Sequence, residues 1–280
     1  MKILITGSNG QLGSEFVRKL SPVHSVFGLN KVQIDITNYE KMKNYILELK
    51  PELIIHCAAF TAVDSCETEW VKALEVNGLA TGYLAAAAEK IGARLLYIST
   101  DYVFDGIKES PYKETDTPDP QSVYGLSKWL GEIFVLKMKK GTVIRTSWLY
   151  GHNGRNFVKT MLNFAKQNKK VKVVNDQIGS PTYVDDLVET ILQLFDKENG
   201  IYHISNSGEC SWFEFAQEVY KHASANPKLV IPTTTKEYGA LARRPKYSAL
   251  AKEGLKNIQV TIPRHWRDAL ADFLRKETAK

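Results

Sequence analysis

The chain has 280 residues, 44% apolar and 24% charged, and 37 Lys and Arg against 31 Asp and Glu leave a net charge of +6. That length suits one large α/β domain or two modest ones, and no run of about 18 apolar residues reads as a membrane span. Cys57, Cys66 and Cys210 form no CxxC and no zinc spacing with the histidines, no dense basic run interleaves with aromatics, and MKILITGSNGQLG turns Gly-rich too early for a signal peptide, so a cytoplasmic protein with reduced thiols and no nucleic-acid or membrane partner is expected.

In chain order, KILIT (2–6) reads as a strand and QLGSEFVRKL as a helix, SVFGLN (25–30) as a second strand and NYEKMKNYILELK (38–50) as a second helix. ELIIHCAA (52–59) is a third strand, and ALEVNGLATGYLAAAAEKIG (73–92) one long Ala-rich helix ending at Gly92. RLLYIST (94–100) is a fourth strand, YGLSKWLGEIFVLKMK (124–139) a helix and TVIRTSW (142–148) a fifth strand. The strands are continuously apolar, as in a parallel sheet buried on both faces. Beyond 150 the pattern is looser, with helices expected at 155–167, 183–196, 211–223 and 265–276 and strands at 172–175 and 200–205; LRKETAK reads as a frayed helix end.

The fold expected is α/β: a Rossmann-type doubly wound parallel sheet over 1–150, with a smaller C-terminal α/β substrate domain over 151–280 whose segments return to the sheet. Gly7, Gly10 and Gly13 form G-x-x-G-x-x-G between the first strand and first helix. Glycine there permits a tight turn and close backbone approach, and the helix start offers unpaired N–H groups to a pyrophosphate. GSNGQL (7–12), with Ser8 and Asn9 inside the turn, is therefore a dinucleotide cradle. Asn30 ends the second strand, where an acidic residue would grip a ribose; a neutral side chain beside Lys31 favours NADP(H), with NAD(H) tolerated. Asp35 and Ile36 line the adenine pocket, or Asp35 caps the helix near Asn38. Ala58, Ala59, Phe60 and Thr61 supply small or compact groups where the nicotinamide ribose passes.

Tyr124 and Lys128 lie four apart on one helix near the C-terminal strand ends; Tyr39 and Lys43 repeat the spacing where nothing reactive converges and read as a surface pair. Thr100 arrives at the same crevice on the fourth strand. Lys128 is expected to lower the Tyr124 phenol from about 10 and to hold the ribose, Thr100 to donate to a substrate oxygen, and Tyr124 to deliver a proton as hydride arrives. Asp101 and Tyr102 border the substrate pocket, or Tyr102, Val103 and Phe104 pack under the loop.

GSNGQLG (7–13), AAFTAVDSCE (58–67), STDYVFDG (99–106), YGLSKWLGE (124–132), RTSWLYG (145–151), NDQIGSPT (175–182) and RRPKYSAL (243–250) together resemble the extended short-chain dehydrogenase/reductase superfamily, and within it the dTDP-4-dehydrorhamnose reductase family. The resemblance implies reduction of a 4-keto nucleotide sugar for cell-surface polysaccharide, with Thr100, Tyr124 and Lys128 as the catalytic trio and Thr100, Asp101 and Trp148 near the sugar. Trp148 either stacks on the sugar or ends a strand in the core; Arg243 and Arg244 either clamp the diphosphate or sit in a solvated loop. Some members are Mg²⁺-dependent dimers, for which Glu15 and Glu189 stand at the corresponding places; the chain is expected to act as a monomer or homodimer. An epimerase or dehydratase of the same superfamily is the alternative enzyme, although Tyr102 stands where a dehydratase has Glu, and a non-catalytic NADP-binding regulatory subunit is the alternative outside catalysis.

Overall fold

In the computed structural model, which describes residues 1–278, six strands form one parallel sheet: β1 (Lys2–Thr6), β2 (Ser25–Leu29), β3 (Leu53–His56), β4 (Arg94–Thr100), β5 (Gly141–Thr146) and β6 (Gly200–His203). Their order is β6-β5-β4-β3-β1-β2. The chain thus winds outward from β1 to β2, then returns to build the other half from β3. The order reverses between β1 and β3, and a crevice opens there at the carboxyl ends of the strands.

Alternation along each strand divides the core. Ile3, Ile5, Leu53, Ile55, Leu96, Ile98 and Ile144 face the helices Gln11–Leu20 and Val184–Leu192, meeting Leu12, Phe16, Leu187 and Ile191. Leu4, Ile54, Leu95, Tyr97 and Val143 face the helices Tyr39–Leu49, Ala80–Ile91 and Val123–Leu136, meeting Met42, Ile46, Leu84 and Val135. β2 departs from the continuous burial expected of it. Ser25 and Phe27 are exposed because this strand is the sheet edge and only one of its faces is covered. A separate aromatic core of Tyr150, Tyr183, Phe215, Trp266 and Phe273 holds the helices Phe157–Lys166, Trp212–His222 and Trp266–Thr278 together. Ala279 and Lys280, the last residues of the expected helix end, lie outside the described residues.

The long helix expected over 73–92 is present and ends at Gly92, but its first part, Leu74–Leu79, is a wide π-helical turn that runs unbroken into the regular helix from Ala80 to Ile91. Asn77 is the cause in reach. Its amide oxygen accepts from Phe60 N (2.7 Å) and its nitrogen donates to Phe60 O (3.0 Å) and Ser127 Oγ (2.9 Å), so its side chain clasps the loop after β3. Short helices at Val63–Thr68 and Trp70–Ala73, and a strand at Val230–Thr233 paired with Val171–Val174, were not foreseen from the pattern. Among the described residues no helix is long and apolar enough to cross a membrane.

Candidate functional site

The Gly-rich turn after β1 is shaped by contacts that exclude side chains. Gly7 has φ +68°, and a Cβ there would lie 2.7 Å from Ala58 N; a Cβ at Gly13 would lie 2.2 Å from Gly7 O. The helix Gln11–Leu20 starts at Gly10 with no side chain capping it. Its first N–H groups and positive dipole end therefore face the crevice, which fits a diphosphate. Asn156, which caps the helix Phe157–Lys166, donates to Gln11 Oε1 (2.9 Å) and joins the cradle to the C-terminal segment.

β4 brings Thr100 to the same crevice. Thr100 Oγ1 accepts from Tyr102 N (3.2 Å), turning the chain, and donates to Asp101 Oδ1 (3.0 Å). The Tyr124 helix is pulled onto this turn. Ser122 caps it by accepting from Gly125 N (3.1 Å), and Val123 N donates to Glu67 Oε1 (2.9 Å). A Cβ at Gly125 would fall 2.1 Å from Tyr102 O, and one at Gly131 would fall 2.4 Å from the Tyr97 hydroxyl. Both glycines weaken the helix intrinsically, by roughly 0.5–1 kcal/mol each, and in return let it lie against the strand tip. Tyr102 and Tyr124 meet edge to face, 5.5 Å between centroids.

A cavity of about 600 Å³ results, lined by Gly7, Gly10, Gln11, Leu12, Ala59, Thr61, Thr100, Asp101, Tyr102, Tyr124, Lys128 and Trp148 of the residues expected from the sequence. Burial raises the Tyr124 phenol well above its ordinary range, and Thr100 pulls the other way. Lys128 is not among the leading influences on that phenol. Its Nζ donates to Ile98 O (2.6 Å) and lies 4.1 Å from the Tyr97 ring centroid, and burial lowers its own pKa to about 7. Burial likewise raises Asp101 to about 6, against the hydrogen bond from Thr100, and Asp101 Oδ2 and Thr146 Oγ1 are buried without a partner. Polar atoms left so at a cavity wall suit a hydroxylated ligand. Cys57 also lines the cavity, but burial pushes its thiol up to about 12, which makes it no nucleophile.

On the substrate side, Trp148 does not stand alone. Its indole is stacked on Trp212 with centroids 3.6 Å apart, so that one face is covered. Trp212 had no signal in the sequence, lying in a separate helix. It also walls a second, more apolar cavity of about 420 Å³ with Phe157, Met161, Phe164, Tyr238 and Arg244. Arg244 Nη1 donates to the hydroxyl of Tyr102, which lines both cavities (3.0 Å), and its Nη2 pairs with Asp64 (2.8 Å), so the guanidinium stands in the wall of the second cavity; Arg243 binds Gln121 instead. Arg155, Asn156, Ser147 and Thr146 line the first cavity and were likewise missed.

Other expected residues lie apart from the cavity wall. Asn30 spends its side-chain oxygen on Val32 N (2.9 Å) and Gln33 N (3.2 Å). Asp35 does not cap the second helix, which Asn38 caps; it accepts from Thr37 and pairs loosely with Lys31 at 3.6 Å. Ile36 packs in the core, Ser8 binds Leu29 O through its backbone (3.2 Å), Asn9 is exposed, and Ala58 and Phe60 flank the loop that Asn77 clasps. Tyr39 and Lys43 form the expected surface pair, with Lys43 5.0 Å from the ring centroid. Glu15 is bonded to Arg18 and Glu189 to Lys19, and among the described residues no group of three His, Cys, Asp or Glu could hold a metal. These carboxylates do not make a chelating set within one chain.

The model of the RmlD substrate binding domain family matches residues 1–279. The chain is 43% identical over 280 residues to the spore coat polysaccharide biosynthesis protein SpsK of Bacillus subtilis (strain 168), covering 99% of this chain and 98% of that one. It is 40% identical over 287 residues to a dTDP-4-dehydrorhamnose reductase of Aggregatibacter actinomycetemcomitans, covering 97% and 98%. A crystal structure of dTDP-4-dehydrorhamnose reductase from Bacillus anthracis str. Ames in complex with NADP superposes with a TM-score of 0.95 at 42% identity, covering 99% and 100%.

Proposed function

The chain belongs to the RmlD substrate binding domain family, and on that footing we propose that it reduces the 4-keto group of dTDP-4-dehydro-L-rhamnose to dTDP-L-rhamnose, in the biosynthesis of cell-surface polysaccharide. The observation that carries this is the meeting of Thr100, Tyr124 and Lys128 in one cavity with the glycine cradle.

NADPH, when bound, supplies the hydride. Gly7, Gly10, Gln11 and Leu12 would hold its diphosphate, Lys31 beside Asn30 its 2′-phosphate, and Ala59, Thr61 and Lys128 its nicotinamide ribose. Tyr124 is the proton donor. Its raised pKa keeps the phenol protonated at neutral pH, and it passes that proton to the sugar O4 as negative charge develops there. The Thr100 hydroxyl hydrogen-bonds the same oxygen, and the Lys128 ammonium balances the phenolate left behind. Asp101 and Thr146 offer unpaired oxygens to the sugar hydroxyls. The adjoining apolar cavity takes the nucleotide, with Arg244 at its mouth for the diphosphate. The three cysteines, all unpaired, support a cytoplasmic setting.

The test is direct. Purified protein is mixed with dTDP-4-dehydro-β-L-rhamnose and each reduced cofactor in turn, and absorbance is followed. Consumption of NADPH with formation of dTDP-rhamnose is expected, with slower or equal use of NADH. No consumption of either cofactor would overturn the assignment.

A further inference from the structure

Beneath the cavity lies a buried ion pair that the chemistry above does not use. Glu132 and Arg145 are each only 1% exposed. Arg145 Nε and Nη2 donate to the two oxygens of Glu132 (2.9 and 2.7 Å), and Ser99 Oγ donates to Glu132 Oε1 (2.5 Å). The guanidinium also lies 4.9 Å from the Phe104 ring centroid. Three catalytic segments therefore meet on one carboxylate: Ser99 precedes Thr100 on β4, Glu132 follows Lys128 by one helical turn, and Arg145 precedes Thr146 on β5.

We propose that Glu132, fixed by Arg145 and Ser99, is a positioning residue for the reduction: its buried carboxylate acts through Lys128 to keep that side chain charged and in register with Thr100. The proposal rests on the role given to Lys128 above. A buried ion pair is weak evidence for stability, since well-packed apolar residues often replace one without loss. Its placement one turn from a buried lysine is what calls for a functional account.

The groups around Lys128 support this. From its own helix come Tyr124 and Glu132, from the end of β3 His56 and Cys57, and from β4 the Tyr97 ring and the Ile98 carbonyl; Arg145 of β5 is engaged by Glu132. His56 is held neutral, its pKa lowered to about 3 by burial and then by Lys128 itself. Burial raises the Cys57 thiol and both phenols, so all three stay protonated at neutral pH. Of these described groups Glu132 alone is an anion, and it opposes the burial that drives Lys128 to about 7.

The test compares Glu132→Gln, which keeps the shape and removes the charge, with Glu132→Asp, which keeps the charge and loses a methylene. A Glu132→Gln/Arg145→Met double variant serves if the unpaired guanidinium prevents the single one from folding. NADPH affinity and circular dichroism check the fold; kcat is then followed from about pH 5 to about pH 10. Removing the carboxylate must move the alkaline limb of kcat toward acid by about one pH unit or more, while Glu132→Asp leaves the limb in place. A limb unmoved in folded Gln or double variant, or moved equally by Asp, overturns the proposal. If neither uncharged variant folds, the Lys128 ε-amine of the unaltered NADPH complex, followed by NMR, must carry its proton at about pH 6; a neutral amine there overturns it equally. Inactivity of the unaltered enzyme toward the ketosugar would instead refute the assigned reaction, so the two failures are distinguishable.

Discussion

Trp148 and Trp212 stack face to face, 3.6 Å between centroids and 9° between planes, and Trp148 holds φ +47° to do so. A non-glycine residue in the left-handed region carries strain of order 1–3 kcal/mol. The surroundings enforce it: a Cβ on Gly179 would sit 2.7 Å from the Trp148 ring. Both rings line the catalytic cavity, and Trp212 also walls the outer apolar one.

Trp212→Ala removes that wall without touching the cradle. The KM for the nucleotide sugar should rise about 10-fold or more, while NADPH affinity changes by less than about 2-fold; steady-state kinetics and fluorescence titration give the two numbers. Three aromatic contacts are lost, with Trp148, Phe157 and Phe215, each worth about 0.5–1.5 kcal/mol, so thermal stability falls as well.

Gly13→Ala places a methyl 2.2 Å from the Gly7 carbonyl oxygen, a backbone group that cannot swing away. The overpacking should destabilise the fold by about 1–3 kcal/mol and weaken NADPH binding, because the turn that cradles the diphosphate must shift. Denaturation and NADPH titration of the variant check both. Ordinary stability with unaltered affinity would mean that the cradle does not bind as described.

Asp101 gives a pH signature. Its folded pKa, about 6, lies above that of an unfolded Asp. Its contribution thus favours the fold below the unfolded range, near pH 4, and is lost as pH rises through about 6. Asp101→Asn, neutral at every pH, should therefore be more stable than the parent at about pH 8, by up to about 2–3 kcal/mol, and no more stable at about pH 4. Thermal melts at the two pH values decide it, and an equal gain at both would show that burial of the charge is not the cause. The same variant should raise KM for the sugar.

Much of this site is legible along the chain because it is built from local patterns. The cradle follows a strand and opens a helix, Tyr124 and Lys128 share a helix face, and Thr100 ends an apolar run. What escaped detection depends on partners distant in sequence. ALEVNGLATGYLAAAAEK has the composition of one regular helix; only the clasp of Asn77 on Phe60 explains the wide turn. Trp212 joins the site by stacking on Trp148 from a distant helix, which no spacing encodes. The depth of Lys128 was not legible either: its ammonium is turned to the Ile98 carbonyl in a site where burial outweighs every neighbour. Asn30 and Asp35 each also close a local turn, which their expected place at the cofactor did not suggest.

The central claim is that Tyr124 gives the proton. Tyr124→Phe removes one hydroxyl from a half-buried ring and leaves the cradle intact. With saturating NADPH and dTDP-4-dehydro-β-L-rhamnose, its kcat should fall by about 10²–10⁴ while its NADPH affinity stays within about 2-fold of the parent's. A variant that turns over at the parental rate would contradict the account.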